Sequence, residues 1–272
     1  MKQSIEPTAS AVWIKLLSDI VLMGNTVSPR GQLTKEILQH TIALNMREPV
    51  VKVPLRKLSY QFMAAEAFWI LSGDDKVETI EPYNKNIAQF SDDGKTFFGA
   101  YGPKIVSQLA YIVEKLRGDK DSRQAGLTIW RENPPETKDV PCTVAIWFNI
   151  RNDLLNCHVF MRSSDAWLGI PYDVFNFSML GHMVCALYNT NNDPWRESPP
   201  VIHPGTLYLT AASSHIYDRN AVDVANILAS PIEVYPESPT PETLYLGKWS
   251  LLQWLKELRD SKPGDKRRWW EN

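Results

Sequence analysis

The sequence predicts an α+β fold. Three observations carry this reading: apolar residues at helical spacing dominate the first half, apolar runs joined by a tight turn follow, and no internal repeat or linker interrupts the 272 residues. With 44% hydrophobic and 22% charged residues, the composition is that of an ordinary globular protein. A chain of this length buries a sizeable core without covalent staples. Residues 1–272 therefore read as a single domain.

The elements follow in order. Val12, Trp13, Leu16, Leu17, Ile20 and Val21 give residues 11–23 a helical period. Residues 24–32, with Gly and Pro punctuation, read as a polar loop. A second helix spans 58–72, mostly apolar but with Glu66 inside it. Residues 74–99 are polar and irregular, with a turn at Asp92-Asp93-Gly94. A third helix runs from about 103 to 116. Strands are expected at 126–130, 142–150 and 154–162, the last two joined at Arg151-Asn152-Asp153. A helix at 173–189, a strand at 205–211 and a helix at 218–228 follow. From 231 the chain turns Pro-rich, then basic and aromatic.

Charge and cysteine usage exclude several classes. Lys and Arg number 29 against 31 Asp and Glu, a net charge of -2, so there is no global basic field for a nucleic-acid coat or a membrane surface. Three cysteines without a CxxC pair suit reduced thiols, neither a disulfide framework nor a zinc site. The N-terminus lacks the pattern of a signal peptide. The most apolar stretch, 167–188, holds Pro171, Asp173 and His182 and fails as a membrane span. A cytoplasmic protein without metal or membrane is the expectation.

A few residues stand out chemically. Cys142 follows Pro141 at the start of a strand, where a thiol can face a cleft; the alternative is a buried small hydrophobe, the expected fate of Cys157 and Cys185. Glu66 has apolar neighbours on both sides, and burial would raise its pKa; the alternative is a position on the polar face of its helix. The run 162–173 gathers Arg162, Ser163, Asp165 and Asp173. An arginine fork at a strand end grips oxyanions, although alone it reads as a surface ion pair, and Asp173 alone reads as a helix N-cap. His215 and Tyr217 share a face if extended, suited to a sugar hydroxyl or to a structural role.

Together these pieces resemble the thymidylate synthase family. The strongest match is FMRSSDAWLGIPYDVFNFSMLGHM (160–183); Pro141-Cys142, Glu66, Tyr101-Gly102, Asp121-Ser122-Arg123 and His215-Ile216-Tyr217 follow the family's order over about residues 11 to 230. The resemblance implies a three-layer α+β homodimer with a mixed sheet, the two sheets stacked. It implies Cys142 as nucleophile and Glu66 as the acid that organises water and proton transfer. Arg30, Arg162 and Ser163 match phosphate ligands, and Arg123 a phosphate ligand donated to the other subunit. His215 and Tyr217 match contacts to the sugar 3′-hydroxyl. Arg56, Asp165, Leu168 and Tyr172 match positions at the folate site, where 5,10-methylenetetrahydrofolate is the expected co-substrate. Asp165 lies between that site and the expected pyrimidine nucleoside monophosphate.

The departures shape the expected activity. Asp173 stands where thymidylate synthases carry Asn, and Thr143 follows Cys142 where they usually carry His. The phage deoxycytidylate hydroxymethylases of the family look like this sequence at both positions. An amide pairs with N3–H and O4 of uracil. A carboxyl accepts from the exocyclic amine of cytosine and, if protonated, donates to N3. The tryptophans usual before Tyr101 are missing, the end reads Trp-Trp-Glu-Asn in place of the small apolar residues of the synthase lid, and Gln124 replaces the second Arg of a pair. The family mechanism would add the Cys142 thiolate to C6, so that C5 attacks the one-carbon unit. Nearby arginine charge is expected to lower the Cys142 pKa. Water rather than hydride then completes the reaction, oriented by Glu66.

These features predict a deoxycytidylate 5-hydroxymethyltransferase serving nucleotide biosynthesis for modified phage DNA. The alternatives are a reductive dCMP 5-methyltransferase, a thymidylate synthase acting on dUMP, and a CMP hydroxymethylase. A non-catalytic homologue would use the KRRWW tail (266–270) to stack on nucleic acid or a partner; otherwise that tail reads as a solvated end.

Overall fold

The computed structural model describes residues 7–190, 200–231, 237–245 and 247–271. Helix α1 (Ala9–Met23) begins with the Thr8 hydroxyl accepting from the Ala11 N–H and buries Trp13, Leu16, Leu17 and Ile20. The short strand β1 (Asn25–Val27) occupies part of the expected polar loop. It pairs with β2 (Thr34–Asn45), a long strand absent from the sequence expectation. Helix α2 (Tyr60–Ser72) is capped by Ser59 and stopped by Gly73, whose φ of 82° is left-handed. The irregular stretch after it contains only the short α3 (Val77–Ile80) and single 3-10 turns.

Helix α4 (Tyr101–Gly118) leads to β3 (Gly126–Thr128), β4 (Thr143–Arg151) and β5 (Leu154–Met161). The expected hairpin turn has φ values of 53° at Asn152 and 61° at Asp153, the left-handed pair that matches strand twist. The two-residue β6 (Ser164–Asp165) precedes α5 (Ile170–Asn189). The chain continues through β7 (His203–Tyr217), α6 (Ala221–Ala229) and α7 (Lys248–Arg259).

The sheet is mixed, in the order β1-β2-β7-β5-β4-β3. Strand β5 runs parallel to β7 while the other neighbours on that path are antiparallel, and β6 also pairs with β7. Strand β5 alternates cleanly: Leu155, Cys157, Val159 and Met161 are buried, whereas Asn156, His158 and Phe160 face the other side. Helices α1 and α5 cover the buried face, and α2 and α4 pack on α5, with α7 against α2. Sheet, inner helices and outer helices make three layers. Cys157 and Cys185 lie fully inside, as expected. No helix among the described residues is long and apolar enough to cross a membrane.

The C-terminal region corrects the reading of a solvated or nucleic-acid-stacking tail. Helix α7 forms there, and Arg268 and Trp270 are buried. Arg268 donates to the Ser261 hydroxyl and carbonyl at 2.9 and 2.8 Å, Trp269 donates to the Ser238 carbonyl at 2.6 Å, and Trp270 packs on Tyr60 at 5.3 Å. Arg268 and Trp269 thus find hydrogen-bond partners within the protein, whereas the buried Trp270 N–H has none among the described residues. Residues 1–6 of the expected signal-free N-terminus and residues 232–236 of the Pro-rich stretch lie outside the described residues.

Candidate active site

A cavity opens where α2, α4 and α5 meet the segment before β4. Glu66, Tyr101, Asp139, Cys142, Asp173 and Asn176 supply its polar lining, and Trp69, Ile70, Phe97 and Pro141 part of its apolar wall. Three of these polar residues, Cys142, Glu66 and Asp173, are the catalytic candidates expected from the sequence. Chain topology brings them together from positions far apart in sequence.

Cys142 sits on a braced segment. The Arg162 N–H donates to the Cys142 carbonyl at 2.9 Å, while its guanidinium Nε and Nη2 donate to the Pro141 and Val140 carbonyls at 3.0 and 2.9 Å. The Tyr101 hydroxyl accepts from the Thr143 N–H at 3.2 Å. Arg162 is thus partly committed to holding the cysteine loop. The expected fall in the Cys142 pKa is not found. Arg162 and Arg30 do pull it down, but burial, the largest influence, pushes the thiol up, helped by Asp173 and Asp139.

Glu66 takes the cavity position, not the exposed one. Burial pushes its pKa up to about 7, with Asp173 adding to the rise and the Asn176 hydrogen bond opposing it. Asn176 Nδ2 donates to Glu66 Oε2 at 2.7 Å. Asp173 is raised to about 7 as well, by burial first and Asp165 second. It is not the N-cap, a place taken by Gly169: α5 begins at Ile170, Asp173 lies within its first turn, and among the described residues its carboxyl makes no hydrogen bond. Gly169 leaves it room, since a Cβ there would stand 3.1 Å from Asp173 Oδ2.

Beside the cavity, Asp165 Oδ1 accepts from the Trp167 and Leu168 N–H groups, both at 2.8 Å. The second carboxylate oxygen makes no hydrogen bond among the described residues. Leu168 is 47% exposed. The Tyr172 hydroxyl accepts from the Ser59 N–H at 3.2 Å, and its ring meets Phe62 edge-on. Arg56 donates twice to the Trp167 carbonyl, at 3.1 and 2.8 Å, and lies 4.6 Å over the Trp167 ring. Trp13 anchors this corner by donating to the Ala166 carbonyl at 2.6 Å.

His215 and Tyr217 share a face of β7 with rings 5.1 Å apart, and His215 is aligned with Asp165. Burial lowers the His215 pKa, favouring the neutral ring. Arg30 is exposed, on a turn where it adopts a left-handed φ of 53° beside Gly31. Ser163 is half-buried between β5 and β6.

Arg123 is not brought to this cavity. Strand β3 runs antiparallel to β4 with Gly126 opposite Trp147, so Arg123, three residues earlier, lies toward the end of β4 remote from Cys142. At about 3.4 Å per residue that is on the order of 25 Å away. Asn176 was not singled out from sequence. The available signal was a lone amide on an apolar helix, one turn beyond Asp173.

A deoxyuridylate hydroxymethyltransferase of Bacillus phage SP01 is 32% identical over 182 residues, covering 58% of this chain and 46% of the relative. The match thus spans about half of that protein's length. The thymidylate synthase family profile matches residues 11–239. With the profile matching most of the chain, and the mixed sheet and helical layers in place, the chain belongs to the thymidylate synthase family.

Proposed function

We propose that this chain is a one-domain, homodimeric deoxycytidylate 5-hydroxymethyltransferase. Membership supports the coarser part of this reading: the family's enzymes use methylenetetrahydrofolate and a pyrimidine nucleoside monophosphate, which suits a folate-dependent one-carbon transferase. The observation that carries the finer reading is Asp173, a carboxyl without a protein partner among the described residues, in the same cavity as Cys142 and Glu66. A buried polar group left unpaired is costly, so it selects the ligand that completes it. With a pKa of about 7, the carboxyl can accept from a cytosine amine while donating to N3.

The roles follow from position. Cys142 is the nucleophile toward C6, and because burial holds its thiol up, deprotonation must accompany substrate binding. Glu66 holds or releases a proton near neutrality and orients water. Arg30, Arg162 and Ser163 bind phosphate, and His215 with Tyr217 the sugar. Arg123 serves the partner's site, which its distance from Cys142 in its own chain supports. The open sheet face, with Trp147 and Phe160 part-exposed and His158 stacked on Tyr208, suits a second copy. The free oxygen of Asp165, the exposed Leu168 and the Tyr172 ring fit a pterin edge, with Arg56 behind them through Trp167. When bound there, methylenetetrahydrofolate supplies the one-carbon unit.

A second reading keeps dUMP as substrate, and the phage relative's name, deoxyuridylate hydroxymethyltransferase, favours it. A neutral carboxyl can also donate to O4 and accept from N3–H. Incubation with the folate and dCMP, dUMP or CMP, followed by mass analysis of the nucleotide, decides. Hydroxymethyl-dCMP as the main product supports the proposal. Hydroxymethyl-dUMP, or 5-methyl-dCMP with dihydrofolate, overturns it.

A further inference from the structure

Glu66 must change protonation state during the proposed reaction without losing its orientation, and the cavity holds one neutral group placed to ensure this. Asn176 is 4% exposed and donates to Glu66 Oε2 at 2.7 Å, across 110 residues of sequence. Its other amide atom, Oδ1, is buried and has no hydrogen-bond partner among the described residues. A buried amide oxygen without a partner is costly and calls for a donor from outside the protein. Asn176 lines the same cavity as Cys142 and Asp173, so that donor would arrive there.

We propose that Asn176 is a positioning residue for the water-addition step: its N–H fixes Glu66, and its carbonyl oxygen accepts from the water that Glu66 directs at the nucleotide. The N–H restricts the carboxyl to one rotamer and leaves Oε1 for proton exchange. The carbonyl gives that water a second fixed partner, as an ordered buried water requires. An amide suits the task because it stays uncharged while its neighbour titrates. The ionisable groups facing Glu66 are Asp173 and Tyr172 from α5, Tyr101 from α4, and Cys142 and Asp139 from the segment before β4. A further charge at 176 would add to an already acidic set.

This inference rests on the hydroxymethyltransferase reading, and the test separates the two. The full-length protein and its Asn176→Leu and Asn176→Asp variants are compared in dCMP affinity, tritium release from [5-³H]dCMP, hydroxymethyl product and pH–rate profile. Each variant is expected to bind dCMP within about threefold of wild type and to lose about 10²-fold in kcat for product, the scale of one acid–base contribution. In Asn176→Leu the pH limb assigned to Glu66 should move upward, because a hydrogen bond that favours the ionised carboxyl is gone. Product formation near wild type with an unmoved limb overturns the inference. So does loss of dCMP binding in both variants, which would make Asn176 a part of the pocket frame. If wild type itself makes no hydroxymethyl nucleotide, the functional reading fails instead.

Discussion

Glu66, Asp173 and Asn176 line the cavity floor where α2 meets α5, Asn176 buried and the two carboxyls half-buried, whereas Arg30, Arg162 and Arg123 lie exposed around or beyond its rim. On the floor, burial governs the chemistry and brings both carboxyls to about 7. At the rim, solvent screens the cations, and what matters is where the backbone puts them. The floor is complete within one chain. Under the proposed function the rim needs a second copy, since Arg123 stands at the far end of β4. On that reading a base would be recognised through desolvation and a phosphate through assembly.

The largest test of the comparison removes the nucleophile. Cys142→Ser should lower turnover by at least about 10⁴-fold while dCMP affinity, measured calorimetrically, is retained; weakened binding in step with turnover would mean the floor and rim are not separate. Next comes the base-reading carboxyl. Asp173→Asn should lower the ratio of kcat/KM for dCMP over dUMP by about 10³-fold. An unchanged dUMP activity would favour the uridylate reading.

The rim is sharpened by mixing subunits. Arg123→Ala should raise the KM for nucleotide, and an equal mixture with Cys142→Ser should recover about a quarter of the wild-type sites, because half the dimers are hybrids with one intact site each. No recovery places Arg123 in its own chain's site.

The smallest effect is on stability. The folded pKa of Glu66, about 7, lies above its ordinary 4.5. Between those values the native state keeps a proton that the unfolded chain has lost, so stability falls as pH rises through this window. Glu66→Gln should therefore raise Tm by a few degrees at about pH 8 and change it little at about pH 4. An equal gain at both pH values would point to packing, not desolvation.

Much of this was legible in the residues. Helical periods located α1, α2, α4 and α5, and the polar turn located the β4–β5 hairpin. Strand β2 escaped because Gln39, at a φ of 51°, interrupts its pairing between Leu38 and His40 and breaks the two-residue alternation. Helix α7 escaped because it follows a Pro-rich stretch, and its aromatic neighbours resembled a tail until packed on α2. Asn176 escaped because a single amide has no local signature; only Glu66, on another helix, gives it a purpose.

The amino-acid order by itself determined the elements with strong periodicity, the family motif from Arg162 to Asp173, and the presence of a thiol and carboxyls able to do nucleotide chemistry. The tertiary structure alone decided which of them share a cavity, that burial outweighs arginine charge at Cys142, that Arg123 lies far from the site of its own chain, and that Arg268 and Trp270 of the basic aromatic stretch are buried. The reason is physical. Periodicity is local, but desolvation and hydrogen bonding across 110 residues exist only once the chain has closed on itself.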